Sequence, residues 1–201
     1  MKTPISLCMM VQDEEHYISR ALENVKDYVD EIIIVDGGST DDTIAICKSF
    51  GAKVLHRKFD LDYAAQRNYG LDHCSNDWVL IMDADELFSE TILTNLPVLT
   101  NNLDRFRMVH YFDEQVSSLP EVWPTRLVKR SVGRWQGALH EGVVLNEGFV
   151  AISCPIDYLM LHKKTTSRQF YNNLLYQNIE QGILERPCYD RGAIEIDGVG
   201  T

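Results

Sequence analysis

Three acidic residues follow an apolar segment, and their spacing suits the binding of a divalent cation. Residues 78–82 read Trp-Val-Leu-Ile-Met, and Asp83, Asp85 and Glu86 come next with one alanine between the two aspartates. Side chains alternate along an extended backbone, so Asp83 and Asp85 are expected to point to the same side. Carboxylate oxygens placed in this way suit Mg2+ or Mn2+. The ordinary alternative is a strand that ends in an acidic turn, because turns favour aspartate.

Alternating strand and helix patterns in the first half of the chain would position these acids. Apolar runs predict strands over residues 5–11, 31–35 and 52–56 and a fourth strand that ends at Asp83, with helices near residues 18–29, 43–50 and 62–73. Such alternation predicts an α/β domain with a parallel sheet, whose ligands collect at the carboxyl ends of the strands. Val11, Asp13, Asp36 and Asp83 all lie at such ends.

The second half of the chain has shorter strand-like pieces separated by proline and glycine. Strands are predicted over residues 105–112, 125–130 and 156–162, which indicates a mixed, partly antiparallel continuation. A helix is predicted over residues 166–184, and Pro187 is expected to stop it. The apolar stripe of this helix is formed by Phe170, Leu174, Leu175 and Ile179.

Composition and charge indicate one soluble domain that does not bind nucleic acid. The chain has 201 residues, 45% of them hydrophobic, which is enough for one substantial core. Its formal net charge of -11 predicts repulsion of nucleic acid and anionic membranes wherever no basic patch intervenes. Five cysteines without a C-x-x-C pair predict reduced, mostly buried thiols in a cytosolic protein. The first apolar run is too short for a signal peptide or transmembrane segment, while peripheral association with the inner face of the membrane stays open.

Several blocks of sequence, taken in order, resemble one enzyme family. They are ISLCMMVQDEE (residues 5–15), IVDGGSTD (34–41), QRNYGL (66–71) and DWVLIMDADE (77–86), followed by RLVKR (126–130), WQGALHE (135–141) and the strand that ends at His162. Together they resemble the family 2 glycosyltransferases with a GT-A fold, particularly the bacterial branch related to lipopolysaccharide-core glycosyltransferases. One departure is Asp13, because that branch usually has asparagine there.

The resemblance implies a fold and a domain layout. The fold expected is α/β GT-A, with a mostly parallel central sheet flanked by helices and a mixed C-terminal extension. Residues 1–185 would form a single glycosyltransferase domain, followed by a weakly ordered tail over residues 186–201. Within the domain we expect a nucleotide-binding half (1–100), an acceptor half (101–165) and a C-terminal helix (166–185).

The resemblance also implies a reaction. The enzyme would transfer a sugar with inversion from a nucleotide-diphosphate donor, a UDP-sugar being favoured, to a hydroxyl of a glycan or lipid-linked glycan. Its cofactor would be Mg2+ or Mn2+, and the implied setting is synthesis of cell-envelope polysaccharide. A bound metal would stabilise negative charge on the departing nucleoside diphosphate.

Donor-binding roles follow from the resemblance residue by residue. Asp36 is expected to accept hydrogen bonds from the nucleobase or ribose, and Val11, Asp13 and Glu14 to line the same pocket. Arg67 is expected to pair with a diphosphate oxygen or to hold an acidic neighbour. The structural alternatives are an Asx-turn at Asp36, helix-start residues after Val11 and a solvated helix arginine.

Metal-binding and catalytic roles are implied in the same way. Asp85 is expected to bind the metal directly, with Asp83 nearer the ribose and the metal-bound water and His162 as a third ligand. Glu141 is the candidate base that removes the proton of the acceptor hydroxyl. The alternative is that His140 and Glu141 only shape the acceptor loop.

Two tryptophans are candidates for the acceptor site. Trp123 and Trp135 are expected to stack on sugar faces beside His140, and burial in the core is an equal alternative for both rings. Asp113 and Glu114 are weaker candidates for the base.

Two other functions fit parts of the pattern. A nucleotidyltransferase also combines a parallel sheet with acidic metal ligands, but its first loop should be rich in glycine and basic residues, and the acidic residues 12–15 do not match. A catalytically idle carbohydrate-binding or scaffold protein would keep the same fold. The presence of Asp83, Asp85 and Glu141 favours an active enzyme.

Overall fold

A seven-stranded central sheet organises the protein in the computed structural model, which describes residues 3–100, 103–113, 115–116, 122–155 and 157–183. The first part alternates strands and helices: β1 (Ile5–Val11), α1 (Ile18–Val25), β2 (Glu31–Asp36), α2 (Thr43–Ser49), β3 (Lys53–His56), α3 (Tyr63–His73) and β4 (Trp78–Ile81). The elements that follow are β5 (Glu86–Phe88), α4 (Glu90–Leu99), β6 (Leu103–Arg105), β7 (Arg107–Phe112), β8 (Gln115–Val116), β9 (Thr125–Lys129), β10 (Gly133–Gln136), β11 (Gly142–Leu145), β12 (Ala151–Ser153), β13 (Leu159–Lys164) and α5 (Thr166–Glu180).

The order of strands in the central sheet brings several loops to one edge. The order is β12-β6-β9-β4-β1-β2-β3, and β1 pairs in parallel with both β2 and β4. The carboxyl ends of these strands therefore share an edge, as the sequence predicted. Strand β9 runs antiparallel to β4, with Leu127 opposite Leu80, so the beginning of β9 meets the end of β4 at that edge.

A second sheet supplies the remaining wall of the same region. Its order is β5-β13-β7-β8, and β13 pairs antiparallel with β5 so that His162 lies opposite Glu86. The backbone N–H of Lys163 also donates to the carbonyl of Asp85 over 2.7 Å. This pairing holds the end of β13 against the acidic turn, although the two segments are far apart in sequence.

Strand β1 is buried on both faces, which explains its nearly continuous apolar sequence. Leu7 and Met9 belong to the cluster on one side of the sheet, and Cys8 belongs to the cluster on the other side with Leu71 of α3. Each fully buried side chain of this size contributes about 1.5–3 kcal/mol to folding. The face of α1 that covers the sheet follows helical spacing and consists of Ile18, Ala21, Leu22 and Val25.

The structure differs from the sequence-based expectation in several elements. Strand β5 and helix α4 occupy a segment for which the pattern predicted no element, and Ser89 caps α4 by accepting a hydrogen bond from the N–H of Ile92. The expected strand over residues 105–112 is interrupted at Phe106, and β13 begins and ends later than expected. Helix α1 ends at Val25 rather than near residue 29.

The buried face of α5 also differs from the expected stripe. Tyr171 and Leu175 are the buried residues, and they pack with Leu61, whereas Phe170 is 56% exposed. Leu175 and Ile179 of the expected stripe do lie on the packed face, and the stripe was wrong at Phe170, where Tyr171 is buried instead.

Some expectations concern segments outside the described residues, namely Glu114, Cys188 and the tail over residues 186–201. The four cysteines in the described part, Cys8, Cys47, Cys74 and Cys154, are buried. Within the described ranges, no helix has both the length and the apolar character needed to cross a membrane.

Candidate active site

An open cleft lies at the carboxyl ends of β1 and β4, with α5 along one side. The empty space within the cleft, including the part that is open to solvent, is about 880 Å³. Gly37 lies in its wall, and a Cβ added there would lie 2.8 Å from Gln12 Oε1, so the Gln12 side chain would have to move. The sequence-predicted residues that line the cleft are Val11, Glu14, Arg67, Asp83, Asp85, Glu141 and His162.

Asp83 is held between two arginines. Arg67 Nη1 donates to Asp83 Oδ1 over 3.0 Å, and Arg126 Nη2 donates to Asp83 Oδ2 over 3.1 Å. Burial alone would raise the pKa of Asp83, but the two guanidinium groups hold that pKa well below its usual range. Asp83 is therefore an ionised carboxylate whose position is determined by both arginines.

A fully buried ion pair lies directly behind Asp83. Glu86 has no exposed surface, and its two oxygens accept hydrogen bonds from Arg126 over 2.5 and 3.1 Å. Glu86 Oε2 also accepts the backbone N–H of Asp83 over 2.9 Å. Burial raises the pKa of Glu86, and the charge of Arg126 opposes that rise. The sequence analysis gave Arg126 no role, although a basic residue directly before the apolar pair Leu127 and Val128 was the available signal.

Arg67 connects Asp83 to the candidate base. Its Nε donates to Glu141 Oε1 over 2.7 Å, and its side chain is only 5% exposed. The guanidinium carbon lies 5.0 Å from the centre of the Trp135 ring, a cation–π contact. Arg67 thus holds two acidic neighbours and is not a solvated helix arginine.

Trp135 supports Arg67 from behind. It is 4% exposed, and its backbone exchanges two hydrogen bonds with the side chain of Asn68, at 2.9 and 3.0 Å. The expectation that this ring stacks on a sugar does not match its burial, because the core and Arg67 already cover it. The alternative of a core tryptophan describes Trp135.

Asp85 and His162 form a second pair on the opposite wall. Asp85 Oδ2 and His162 Nε2 are 3.1 Å apart, and the side chains are 10% and 15% exposed. Burial would raise the pKa of Asp85, but His162 lowers it below its usual value. Burial would likewise lower the pKa of His162, but Asp85 raises it above its usual value. The pair therefore favours an ionised carboxylate beside a protonated imidazole.

The donor set of the cleft fits a divalent cation in its chemistry. Two carboxylates and an imidazole, from Asp83, Asp85 and His162, line one cavity, and such oxygen and nitrogen donors suit Mn2+ or Mg2+. Among the described residues no three His, Cys, Asp or Glu side chains already stand together as a metal site. A cation would have to replace the proton between Asp85 and His162.

Two predicted nucleotide-binding aspartates brace loops instead of lining the cleft. Asp36 is 4% exposed, and its oxygens bond to the N–H of Ser39 over 2.8 Å and to His56 Nδ1 at 3.0 Å. Burial would raise the pKa of Asp36, but these hydrogen bonds lower it. Asp13, at a positive φ of 57°, accepts the N–H of Thr40 over 2.7 Å. Asp36 thus forms the turn that was its structural alternative.

Glu14 ties the loop after β1 to helix α5. Its carboxylate pairs with Arg168, and its backbone N–H donates to Thr43 Oγ1 over 2.7 Å. Burial raises the pKa of Glu14 to about 8, against the opposing charge of Arg168. Sequence reasoning gave α5 no part in the site, yet Arg168, Tyr171, Asn172, Leu175 and Tyr176 all line the cleft.

The predicted acceptor residues do not gather at one place. His140, at a φ of 53°, has a side chain that is 73% exposed and lies 3.8 Å from Glu180 Oε1. Trp123 is 37% exposed and is not part of the cleft wall. Asp113 accepts hydrogen bonds from Thr166 at the start of α5 and also lies outside the cleft. Of the described residues proposed to contact the acceptor, Glu141 alone lines the cleft.

Comparison with known proteins decides the family. The family described as glycosyl transferase family 2 matches residues 6–142, which is more than half of the chain. The chain belongs to glycosyl transferase family 2. This confirms the membership expected from the sequence blocks.

Two relatives in this family cover most of the chain. An uncharacterized glycosyltransferase of Rickettsia typhi is 31% identical over 194 residues, which cover 88% of this chain and 66% of the relative. The lipopolysaccharide core biosynthesis glycosyltransferase LpsC of Rhizobium meliloti is 30% identical over 160 residues, which cover 71% of this chain and 58% of the relative. The chain thus spans less than two thirds of the length of these family members.

A solved structure agrees with the family assignment at the level of the fold. S. aureus TarS 1-349 matches 93% of this chain and 67% of its own, with 15% identity and a TM-score of 0.51. The prediction of an α/β GT-A fold, with a central sheet flanked by helices, is confirmed.

Proposed function

We propose that this chain transfers a sugar from a nucleotide-diphosphate donor to a hydroxyl acceptor, with inversion and with a divalent metal. The observation that carries the proposal is the cleft in which Asp83, Asp85 and Glu141 meet at one edge of the sheet. Arg67 pairs with both Asp83 and Glu141, and Asp85 pairs with His162, so the three carboxylates have different partners. Such a site can bind a cation on one wall and accept a proton on the other.

The donor nucleotide is assigned to the wall formed by the loops after β1 and β2. Val11, Gln12 and Gly37 line this wall, and Asp13 and Asp36 stiffen the loops from behind. Gln12 Oε1 is buried and has no hydrogen-bond partner among the residues that the structure describes. A buried acceptor of this kind favours a ligand that donates an N–H, as uracil does. A UDP-sugar, the donor that the resemblance favours, meets this requirement.

The donor diphosphate is assigned to the opposite wall, beside Asp85 and His162. A divalent cation held by Asp85, Asp83 and His162 would supply Lewis-acid stabilisation of the nucleoside diphosphate as it leaves. Lys164 and Arg168 also line the cleft and bring positive charge to the phosphate oxygens. These side chains orient the donor and offset its charge.

Glu141 is assigned as the base. Arg67 Nε engages its Oε1, which leaves Oε2 to accept the proton of the acceptor hydroxyl. In a single displacement the hydroxyl oxygen forms a bond to the anomeric carbon as the bond to the diphosphate breaks, so one carboxylate is sufficient. Arg67 holds the carboxylate in place through this hydrogen bond.

The cellular setting is a further part of the proposal. One relative is named for lipopolysaccharide core biosynthesis, which supports a role in making cell-envelope polysaccharide. The acceptor would then be a glycan or lipid-linked glycan, and the enzyme would work in the cytoplasm at the inner face of the membrane.

Release of UDP from a panel of UDP-sugars tests the reaction. The wild-type chain with Mn2+ should release UDP with at least one sugar donor. Glu141→Gln should bind UDP with unchanged affinity and lower the turnover rate by about 10²–10⁴-fold, because loss of a general base costs that much. Glu147→Gln, at an exposed position outside the cleft, is the matched control.

Each rival function predicts a different result in this assay. Release of pyrophosphate from a nucleoside triphosphate would identify a nucleotidyltransferase. Sugar binding with no turnover of any donor would identify an idle binding protein. A normal rate for Glu141→Gln would remove Glu141 from the role of base.

A further inference from the structure

A second pocket lies beside the cleft, where β13 ends and α5 begins. It is lined by Tyr17 at the N-cap of α1, by Arg20 of α1, by Tyr111 of β7 and by the segment 163–165. Lys164 lines both this pocket and the cleft, so the two cavities are neighbours. The proposed transfer assigns no role to Tyr17, Arg20, Tyr111 or Lys163.

The pocket is rich in positive charge. Arg20, Lys163 and Lys164 all line it, and Lys163 Nζ lies 5.4 Å from the centre of the Tyr111 ring. In the described part of the chain Arg20 has neither an ion-pair nor a hydrogen-bond partner. Three cations in one pocket are notable on a chain whose net charge is -11, because that charge repels anions in general.

Asp113 is the one acidic residue among the described residues that line the pocket. Its carboxylate accepts hydrogen bonds from both the backbone N–H and the hydroxyl of Thr166. It thereby fixes the start of α5, a helix of 15 residues.

We propose that this pocket binds a phosphate group carried by the acceptor, an inference that rests on the proposed sugar transfer. Arginine and lysine side chains pair strongly with phosphate oxygens. The pocket adjoins the cleft at Lys164, so a phosphate held there would keep its attached hydroxyl beside the site of transfer. The phosphate belongs either to a soluble phosphorylated acceptor or to the head group of a lipid-linked acceptor.

Titration with inorganic phosphate tests the pocket on the full chain. Thermal unfolding is followed at constant ionic strength, with and without saturating UDP and Mg2+. Because UDP and Mg2+ fill the donor site, stabilisation by phosphate that persists in their presence must come from another site. Phosphate should stabilise the wild type, and the double variant Arg20→Gln/Lys163→Gln should bind it about tenfold more weakly, since two charge-assisted contacts are lost. The single variant Arg20→Gln should show a smaller loss in the same direction.

A matched control separates the pocket from net charge. The double variant Lys48→Gln/Lys53→Gln removes two exposed cations that line neither cavity, and it should bind phosphate like the wild type. Equal phosphate affinity in all variants, or no stabilisation of the wild type by phosphate, would overturn the proposal. UDP with Mg2+ should stabilise every variant equally. If UDP with Mg2+ stabilises none of them while phosphate still stabilises the wild type, the result counts against the transferase proposal and not against the pocket.

Vesicles distinguish the two sources of phosphate. A lipid-linked acceptor would be supported if the wild type binds phosphatidylglycerol vesicles more tightly than phosphatidylcholine vesicles and if Arg20→Gln/Lys163→Gln loses this preference. A phosphate response without vesicle binding would support a soluble phosphorylated acceptor. Vesicle binding that persists in the double variant would contradict a lipid phosphate in this pocket.

Discussion

At the scale of single residues, the site is a row of alternating charges. Glu86, Arg126, Asp83, Arg67 and Glu141 follow one another with hydrogen bonds between each neighbouring pair. Burial of an unpaired charge is costly, so each member depends on its neighbours. The buried end of the row holds the turn with Asp83, and the open end presents Glu141 to the cleft.

The pair Arg126 and Glu86 provides a prediction at this scale. Arg126→Met should destabilise the fold by about 3–5 kcal/mol, because Glu86 would keep a buried charge without a partner. The double variant Arg126→Met/Glu86→Met should regain most of that stability, since an apolar pair of similar size can replace a buried ion pair. Urea unfolding measures both changes.

The double variant also separates stability from positioning. If Arg126 positions Asp83, the double variant should fold well and yet bind UDP with Mn2+ more weakly than the wild type. Full donor affinity in a stable double variant would show that the pair has a structural role only.

At the scale of elements, α5 is the part of the site that long-range packing adds. Its first turn pairs with Glu14 through Arg168, and its buried face rests on Phe59 and Leu61 through Tyr171 and Leu175. The helix thereby forms a wall of the cleft. Its position should affect donor binding although it is remote in sequence from β1 and β4.

Two alanine substitutions on α5 test this packing. Leu175→Ala removes a side chain that is 2% exposed, and it should increase hydrogen exchange over residues 166–180 and weaken UDP binding. Phe170→Ala is the matched control, because Phe170 is 56% exposed and should change neither quantity. A larger effect of Phe170→Ala than of Leu175→Ala would mean that Phe170 lies on the packed face of α5.

At the scale of the whole molecule, the sheet was predictable and much of the site was not. Apolar runs identified β1, β2 and β4, and their parallel pairing placed Asp83 and Asp85 at the expected edge. The contact of Arg126 with Glu86 spans 40 residues and depends on the antiparallel register of β9, which no local pattern contains.

Local hydrogen bonding and helix rotation account for the other differences. Asp36 forms an Asx-type turn with Ser39, and short-range polarity does not distinguish such a turn from a ligand contact. The rotation of α5 that buries Tyr171 instead of Phe170 depends on the surface it meets. The sequence fits Trp135 equally well to packing in the core and to stacking on a sugar, and only the contact with Arg67 distinguishes the two roles.

The proposed activity depends most on Asp85 as a ligand of the metal in the donor site. Calorimetry of UDP binding with and without Mn2+ tests this role most directly. The wild type should bind UDP more tightly with Mn2+, and Asp85→Asn should lose that gain while unfolding at nearly the same temperature. Asp72→Asn, which alters an acid on the surface with 58% side-chain exposure, should behave like the wild type. UDP binding that is indifferent to Mn2+, or an undiminished Mn2+ effect in Asp85→Asn, would contradict the account.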